Sequence, residues 1–244
     1  MFFWREQHAV GAGRRVDWGV TDRLGGTSRA PFDELNLGGH VGDDPGAVAA
    51  NRSILAAAFD VPVDRLLFPA QCHGAAVAVA DGPWAGAAPA ADAVVTDRTD
   101  LAVGVLVADC VPVLLCDAAS GVVGVAHAGR RGLLAGVVDA ALDAMADLGA
   151  AAVRGVVGPS VCGRCYEVPE PMRAEAADLL PVAASVSWTG TPAIDVAAGV
   201  VERLRARGVA LTWVPGCTRE HDGLYSYRRD GRTGRLAGVV RRLP

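Results

Sequence analysis

The sequence predicts a mixed α/β (α+β) fold, with mixed sheets and helices packed outside them, and three observations support that expectation. Short runs rich in β-branched residues crowd the middle of the chain, as buried strands require. Segments with helical periodicity lie on either side of them. The two kinds alternate without a strict βαβ rhythm, which points to mixed sheets. The 244 residues fit one large domain or two closely packed halves. No fixed-period repeat or low-complexity linker divides them, so 1–244 reads as a single domain.

Each element has its own signal. Residues 24–44 are irregular and glycine-rich. Asp44 as N-cap and Pro45 at the first helical position predict a helix to about Phe59. The Ala/Pro-rich stretch 84–91 reads as a surface loop. Residues 103–107, 111–116 and 122–127 read as three buried strands, punctuated by Asp109-Cys110 and by 118–121. A helix follows over about 133–148, with Asp139, Asp143 and Asp147 on one face and Leu134, Val138, Leu142 and Met145 on another. Gly149 stops it, and 153–157 resumes as a strand. A further helix, capped by Asp195 and ended by Gly208, leads into a strand over 210–214.

Charge and composition exclude several classes of function. All 23 basic residues are arginine, a composition bias and not a nucleic-acid footprint, because the net charge is −4 and the pI about 5.7. Arg5 and Glu6 stand where a signal peptide needs its apolar core. The longest apolar runs, such as 101–108, fall far short of the ~20 residues a membrane span needs. A cytoplasmic protein without membrane or nucleic-acid partners is expected. Six cysteines in such a chain read as thiols or ligands, not as a disulfide framework.

Three residues offer metal-ligand chemistry. His73 lies in Gln71-Cys72-His73-Gly74, Cys110 follows Asp109 after one apolar strand, and His127 closes the next strand but one. Two imidazoles and a thiolate suit zinc, with the fourth position left for water. The alternative is structural histidine and cysteine beside buried strands. Ala128-Gly129-Arg130-Arg131-Gly132 reads equally as an oxyanion or phosphate cradle and as a tight turn with its arginines in solvent. The stretch 224–231, Leu-Tyr-Ser-Tyr-Arg-Arg-Asp-Gly, reads as a solvated hairpin tip. Cys162-Gly163-Arg164-Cys165 is a lone pair that no second pair completes into a four-cysteine site. The signature of the zinc nucleobase deaminases is missing. His40 lies in a loop polar enough to line a cleft.

These segments, in order, resemble the YfiH/PgeF family, which has also carried the labels polyphenol oxidase and multicopper laccase. The resemblance runs from about Thr21 to Arg242, through blocks at 36–44, 71–77, 91–96, 108–115, 126–132, 158–168 and 225–235. It implies a four-layer α/β/β/α fold with mixed sheets, similar to a bacterial toxin deamidase of the CNF type. It also implies a zinc site of His73, Cys110 and His127, and phosphorolysis of adenosine, inosine and methylthioadenosine, with adenosine deaminase activity as a companion. The catalytic set would be Cys110, His73, His127 and Asp109, the last as general acid or base. Arg131, Arg228 and Arg229 would hold phosphate, and Asn36, His40 and Gln71 would line the substrate site. Nucleoside and phosphate are the expected partners.

Two departures stand out. Arg130 replaces a tryptophan usual in the family, which bears on stacking near the metal. Cys72 replaces an aliphatic residue, as a fourth sulfur ligand or a small core residue. The laccase label fails on counting: five histidines without a His-x-His pair do not make a multicopper centre, although copper would enter as an adventitious occupant. Two rival readings remain: an amidase editing peptidoglycan precursors, with Cys110 as nucleophile and His127 as base, and a non-catalytic nucleotide-binding module.

Overall fold

The computed structural model describes residues 1–10 and 14–243. The chain begins with β1 (Phe2–Val10) and β2 (Arg14–Thr21), then α1 (Pro45–Ala58). Six strands follow: β3 (Leu66–Leu67), β4 (Val77–Val79), β5 (Ala93–Thr96), β6 (Ala102–Val107), β7 (Val111–Asp117) and β8 (Val123–Ala128). Next come α2 (Arg130–Leu134), α3 (Val137–Asp147), β9 (Val153–Val157), α4 (Glu170–Leu179), β10 (Ala184–Val186) and β11 (Pro192–Ile194). The last elements are α5 (Val196–Ala206), β12 (Ala210–Trp213), α6 (Tyr227–Asp230) and β13 (Leu236–Leu243).

Two large sheets result, with strand orders β1-β2-β13-β6-β3 and β12-β9-β7-β8-β5-β4. Each combines parallel pairs (β3 with β6; β4 with β5 and β9 with β12) with antiparallel ones, so both are mixed as expected. Strand alternation explains the layering. Along β7, Val111, Val113 and Leu115 join one apolar cluster while Leu114 and Cys116 join another, and all are buried. A strand buried on both faces must separate two cores. The first core packs β7 against α3 and α5 through Val138, Leu142, Met145, Val200 and Leu204. The second lies between the sheets, where Leu114, Val125 and Val156 meet Trp18, Val103, Val105 and Val240. A third cluster seats Leu55 and Ala56 of α1, with Phe59 just after it, on Ala102, Leu106 and Val239 of the five-stranded sheet. The layers therefore run α/β/β/α.

The three expected central strands form as read, but on different sheets: β6 belongs to one, β7 and β8 to the other. Asp109-Cys110 is the crossing point between them. Asp44 caps α1 by accepting the Gly46 amide, and Asp195 caps α5 by accepting that of Ala198, both at 2.8 Å. The helix expected over 133–148 is instead two helices. Gly136, at φ +88°, takes the left-handed conformation that ends α2 before α3 begins. The stretch 224–231 is not a solvated hairpin tip. Leu224, Tyr225 and Ser226 are fully buried, and the Tyr225 hydroxyl donates to the Phe32 carbonyl at 2.6 Å. Among the described residues, no helix is long and apolar enough to cross a membrane.

Candidate active site

The crossing turn between the sheets is held by Asp109, whose φ of +90° lies in the region L-residues disfavour by about 1–2 kcal/mol. Its carboxylate offsets that cost with three bonds. Oδ1 accepts the hydroxyls of Thr218 (2.7 Å) and Ser226 (2.6 Å), and Oδ2 accepts the Arg228 amide (2.6 Å). Its carbonyl accepts the Val161 amide at 2.9 Å. One aspartate thereby gathers three distant segments around Cys110, the next residue.

His73 is also left-handed, at φ +62°. The buried carboxylate of Asp92 fixes it there, accepting the amides of Cys72, His73 and Gly74 at 3.2, 2.9 and 2.7 Å. Asp92 Oδ1 lies 2.8 Å from Nδ1 of His127, which leaves Nε2 as the nitrogen available to Cys110. His127 follows Val123 and Val125 in the alternation of β8, so its ring lies on the face toward the other sheet. The rings of His73 and His127 are 4.7 Å apart and nearly perpendicular, and Cys110 Sγ is 3.9 Å from His73 Nε2. The three donor atoms all lie within 4.8 Å of one another.

The charges are coupled. Burial would raise the Asp92 pKa, but the bonds from His127, Cys72 and the turn amides outweigh it and hold the carboxyl well below its usual range. Burial likewise opposes charge on His127, yet the Asp92 carboxylate and Cys110 raise its pKa to about 9. Burial pushes the Cys110 thiol up, and His127 and His73 more than reverse this, to about 6. These shifts favour a thiolate–imidazolium pair seated on a carboxylate.

These donors fit zinc. One imidazole is oriented by a carboxylate, as in zinc–histidine–carboxylate triads, and the two histidines favour the thiolate form of the sulfur that a metal binds. Gly129 leaves room for the donor side chains, because a Cβ there would come to 3.0 Å from both Cys110 Sγ and His73 Cδ2. Cys72 is neither a fourth ligand nor a core residue. It is exposed, and its thiol donates to Asp92 Oδ2 at 3.1 Å.

A cavity of about 680 Å³ opens onto the triad, within the roughly 300–1,000 Å³ typical of small-molecule sites. His40, Arg130, Tyr166, Tyr227, Arg228 and Arg235 are among its walls. Of the residues expected from sequence, His40, Gln71, Asp109 and Arg228 reach the cavity; Asn36, Arg131 and Arg229 are not among its lining residues. Gln71 engages both ends of its amide with the Leu106 backbone, at 2.8 and 2.7 Å. Asn36 is buried and ties together Gly38, Asp43 and the Arg235 amide. The turn after His127 sends Arg130 to the cavity, where it also meets Glu175 at 2.8 Å, and leaves Arg131 exposed. Arg229 binds the carbonyls of Thr218 and Leu224 and the carboxylate of Asp230. The guanidinium of Arg228 lies 4.9 Å over the Tyr166 ring. Burial, then the positive charges of Arg235 and Arg52, lower the His40 pKa.

Sequence alone does not single out Asp92, Tyr166 or Arg235. Asp92 had a signal: an acid directly before four buried strand residues needs donors to satisfy it. Arg235 had none, because its place depends on where β13 inserts.

The model of the multi-copper polyphenol oxidoreductase laccase family matches residues 17–242. A purine nucleoside phosphorylase of Streptomyces coelicolor is 57% identical over 227 residues, covering 91% of this chain and 94% of the relative. The crystal structure of a Neisseria meningitidis protein of family DUF152 superposes with a TM-score of 0.88 at 32% identity, over 100% of both chains. That of the Bacillus licheniformis hypothetical protein YfiH gives 0.86 at 28% identity, over 94% of this chain and 93% of that one.

Proposed function

This chain belongs to the multi-copper polyphenol oxidoreductase laccase family, that of YfiH, and from that membership we propose that it is a purine nucleoside phosphorylase. The observation that carries the reading is one cavity lined both by a His–Cys–His donor set and by Arg130, Arg228 and Arg235. A phosphate dianion and a nucleoside are the ligands such a wall suits.

In phosphorolysis a phosphate oxygen bonds to C1′ of the ribose as the C1′–N9 bond breaks. The electron pair leaves with the purine, which then takes up a proton. Arg228 and Arg235 hold the phosphate and neutralise its charge, and Arg130 closes the same side. Tyr227 and Tyr166 offer aromatic faces to the base. His40 exchanges hydrogen bonds with ribose hydroxyls. Asp109, with both oxygens engaged, is a positioning residue and not a general base. His73, Cys110 and His127 would hold a zinc ion, which when bound would supply Lewis-acid polarisation. Copper would bind the same donors adventitiously, and a single three-donor set does not make a multicopper oxidase.

The reading extends to adenosine, inosine and methylthioadenosine as substrates and to adenosine deamination as a side activity. It also takes residues 1–244 as one domain in the cytoplasm. Incubating the protein with adenosine, with and without phosphate, tests it. Adenine and ribose 1-phosphate are expected only when phosphate is present. Inosine as the sole product, with no adenine even in the presence of phosphate, would shift the assignment to deamination, and no product from folded, zinc-loaded protein would end it.

The Cys110–His127–Asp92 arrangement favours a second reading, a cysteine amidase acting on peptidoglycan precursors. Such an enzyme survives a chelator and dies with iodoacetamide. The phosphorylase responds to the chelator.

A further inference from the structure

A second donor cluster lies apart from the triad. Cys162 and Cys165 form a C-x-x-C turn after β9, and Cys217 and Glu220 a C-x-x-E turn after β12. β9 and β12 are parallel neighbours, and a bridge between Ser160 and Cys217 continues their pairing. The two turns therefore leave the same end of the sheet side by side. Each closes in the same way: the Cys165 amide donates to the Cys162 carbonyl at 2.9 Å, and the Glu220 amide to the Cys217 carbonyl at 3.1 Å. The Cys162 amide reaches Cys217 Sγ at 3.5 Å. Glu220 Oε1 accepts the Cys165 thiol and the Trp188 indole N–H, each at 3.2 Å. Three sulfurs and a carboxylate oxygen thus lie within 4.8 Å of one another, and the three cysteines are free thiols.

We propose that this cluster is a second zinc site, closed and structural, with Cys162, Cys165, Cys217 and Glu220 as its four ligands. Four donors of this kind complete the tetrahedral shell zinc takes where it holds a fold together, whereas the triad provides only three. The x-x spacing lets two donors of one turn reach a single ion. Thiolate sulfur selects zinc over calcium and magnesium. As the three metal–sulfur bonds form, the three thiol protons pass to solvent. Trp188 orients the Glu220 carboxylate, and the Arg164 guanidinium lies 5.4 Å over the Trp188 ring. The ion joins two turns that build the cavity wall: Val161 and Tyr166 line the cavity, and Thr218 holds Asp109.

Metal analysis of the full chain, purified under reducing conditions without chelator, tests this. Two zinc ions per chain are expected in the wild type, and one each in Cys110→Ala and Cys217→Ser. One ion in wild type and Cys217→Ser, with none in Cys110→Ala, would overturn the proposal. One in wild type and Cys110→Ala, with none in Cys217→Ser, would uphold it while removing the metal from the triad. Should Cys217→Ser fail to fold, cobalt(II) added to metal-stripped Cys110→Ala protein decides. Thiolate-to-cobalt absorption in the near ultraviolet is expected, and its absence overturns the site. A disulfide among the three cysteines, with no metal taken up after its reduction, has the same consequence.

Discussion

Asp92→Asn alters the junction on which both histidines rest. Oδ1 serves the His73 amide and His127 Nδ1; Oδ2 serves the amides of Cys72 and Gly74. Asparagine keeps the shape but offers one oxygen, so in either orientation its NH₂ faces at least two donors, the Cys72 thiol being a third at Oδ2. Two hydrogen bonds to a charged acceptor, at about 1.5–3 kcal/mol each, are lost. Relaxation of the exposed turn at Cys72 places the expected loss near the lower sum, about 3 kcal/mol. A domain with a stability of about 5–15 kcal/mol still folds after such a loss. Zinc affinity should fall about 10–100-fold, because His127 no longer has a carboxylate to fix its tautomer. Urea unfolding followed by circular dichroism reads the first quantity, and competition with a chromophoric chelator reads the second. A variant within about 1 kcal/mol and twofold of wild type on both counts would show that the carboxylate does not organise the site.

Gly129→Ala puts a methyl group 3.0 Å from Cys110 Sγ and His73 Cδ2, so zinc content should fall below half while stability drops by about 1–3 kcal/mol, read by metal analysis and thermal unfolding. Arg228→Ala should raise the KM for phosphate at least about tenfold, roughly 1.4 kcal/mol, whereas exposed Arg131→Ala leaves it within about twofold; initial-rate kinetics at saturating nucleoside separate the two. Buried Asp117 accepts the amides of Ala119, Ala151 and Ala152 at 2.7, 2.7 and 3.2 Å, and these outweigh burial to depress its pKa. Its stabilisation is fully present above the unfolded value of about 3.9 and is lost as pH falls through the folded one. Asp117→Asn should therefore cost about 1–3 kcal/mol at pH 7 and flatten the acid limb of the stability curve. An unchanged limb would assign acid sensitivity to other carboxylates.

Much of the interior was legible because its signals are local. Asp44-Pro45 marks the start of α1, and the valine-rich runs mark β6, β7, β8 and β9 to within a residue or so. His73, Cys110 and His127 stood out by residue type, and the structure brings all three together. What stayed hidden depends on partners distant in sequence. Asn36 and Arg229 carry the polar chemistry expected of ligand-binding residues, yet other segments engage them. Cys162 and Cys165 read as an isolated pair because Cys217 and Glu220 reach them only through the β9–β12 pairing. Tyr225 and Ser226 looked like a solvated tip because their anchors, Phe32 and Asp109, lie far upstream. The split between α2 and α3 turns on the φ of one residue, Gly136, which helical periodicity does not report.

β13 is synthesised after every other strand described, yet it occupies the middle of the five-stranded sheet, between β2 and β6. At about 5–20 residues per second, a ribosome leaves β6 waiting roughly 6–26 s for it. Until then β2 and β6 present unpaired, apolar edges, the kind that seed misassembly, so this interval is when a chaperone has most to protect. Buried Arg241 then carries its guanidinium to the carbonyls of Phe59 and Asp60, closing the sheet over the end of α1. Arg235, just ahead of β13, reaches the cavity in the same step, so the half-made chain lacks part of its anion-facing wall. Deleting the eight residues of β13 would remove the centre of a sheet and the last stage of building a binding site.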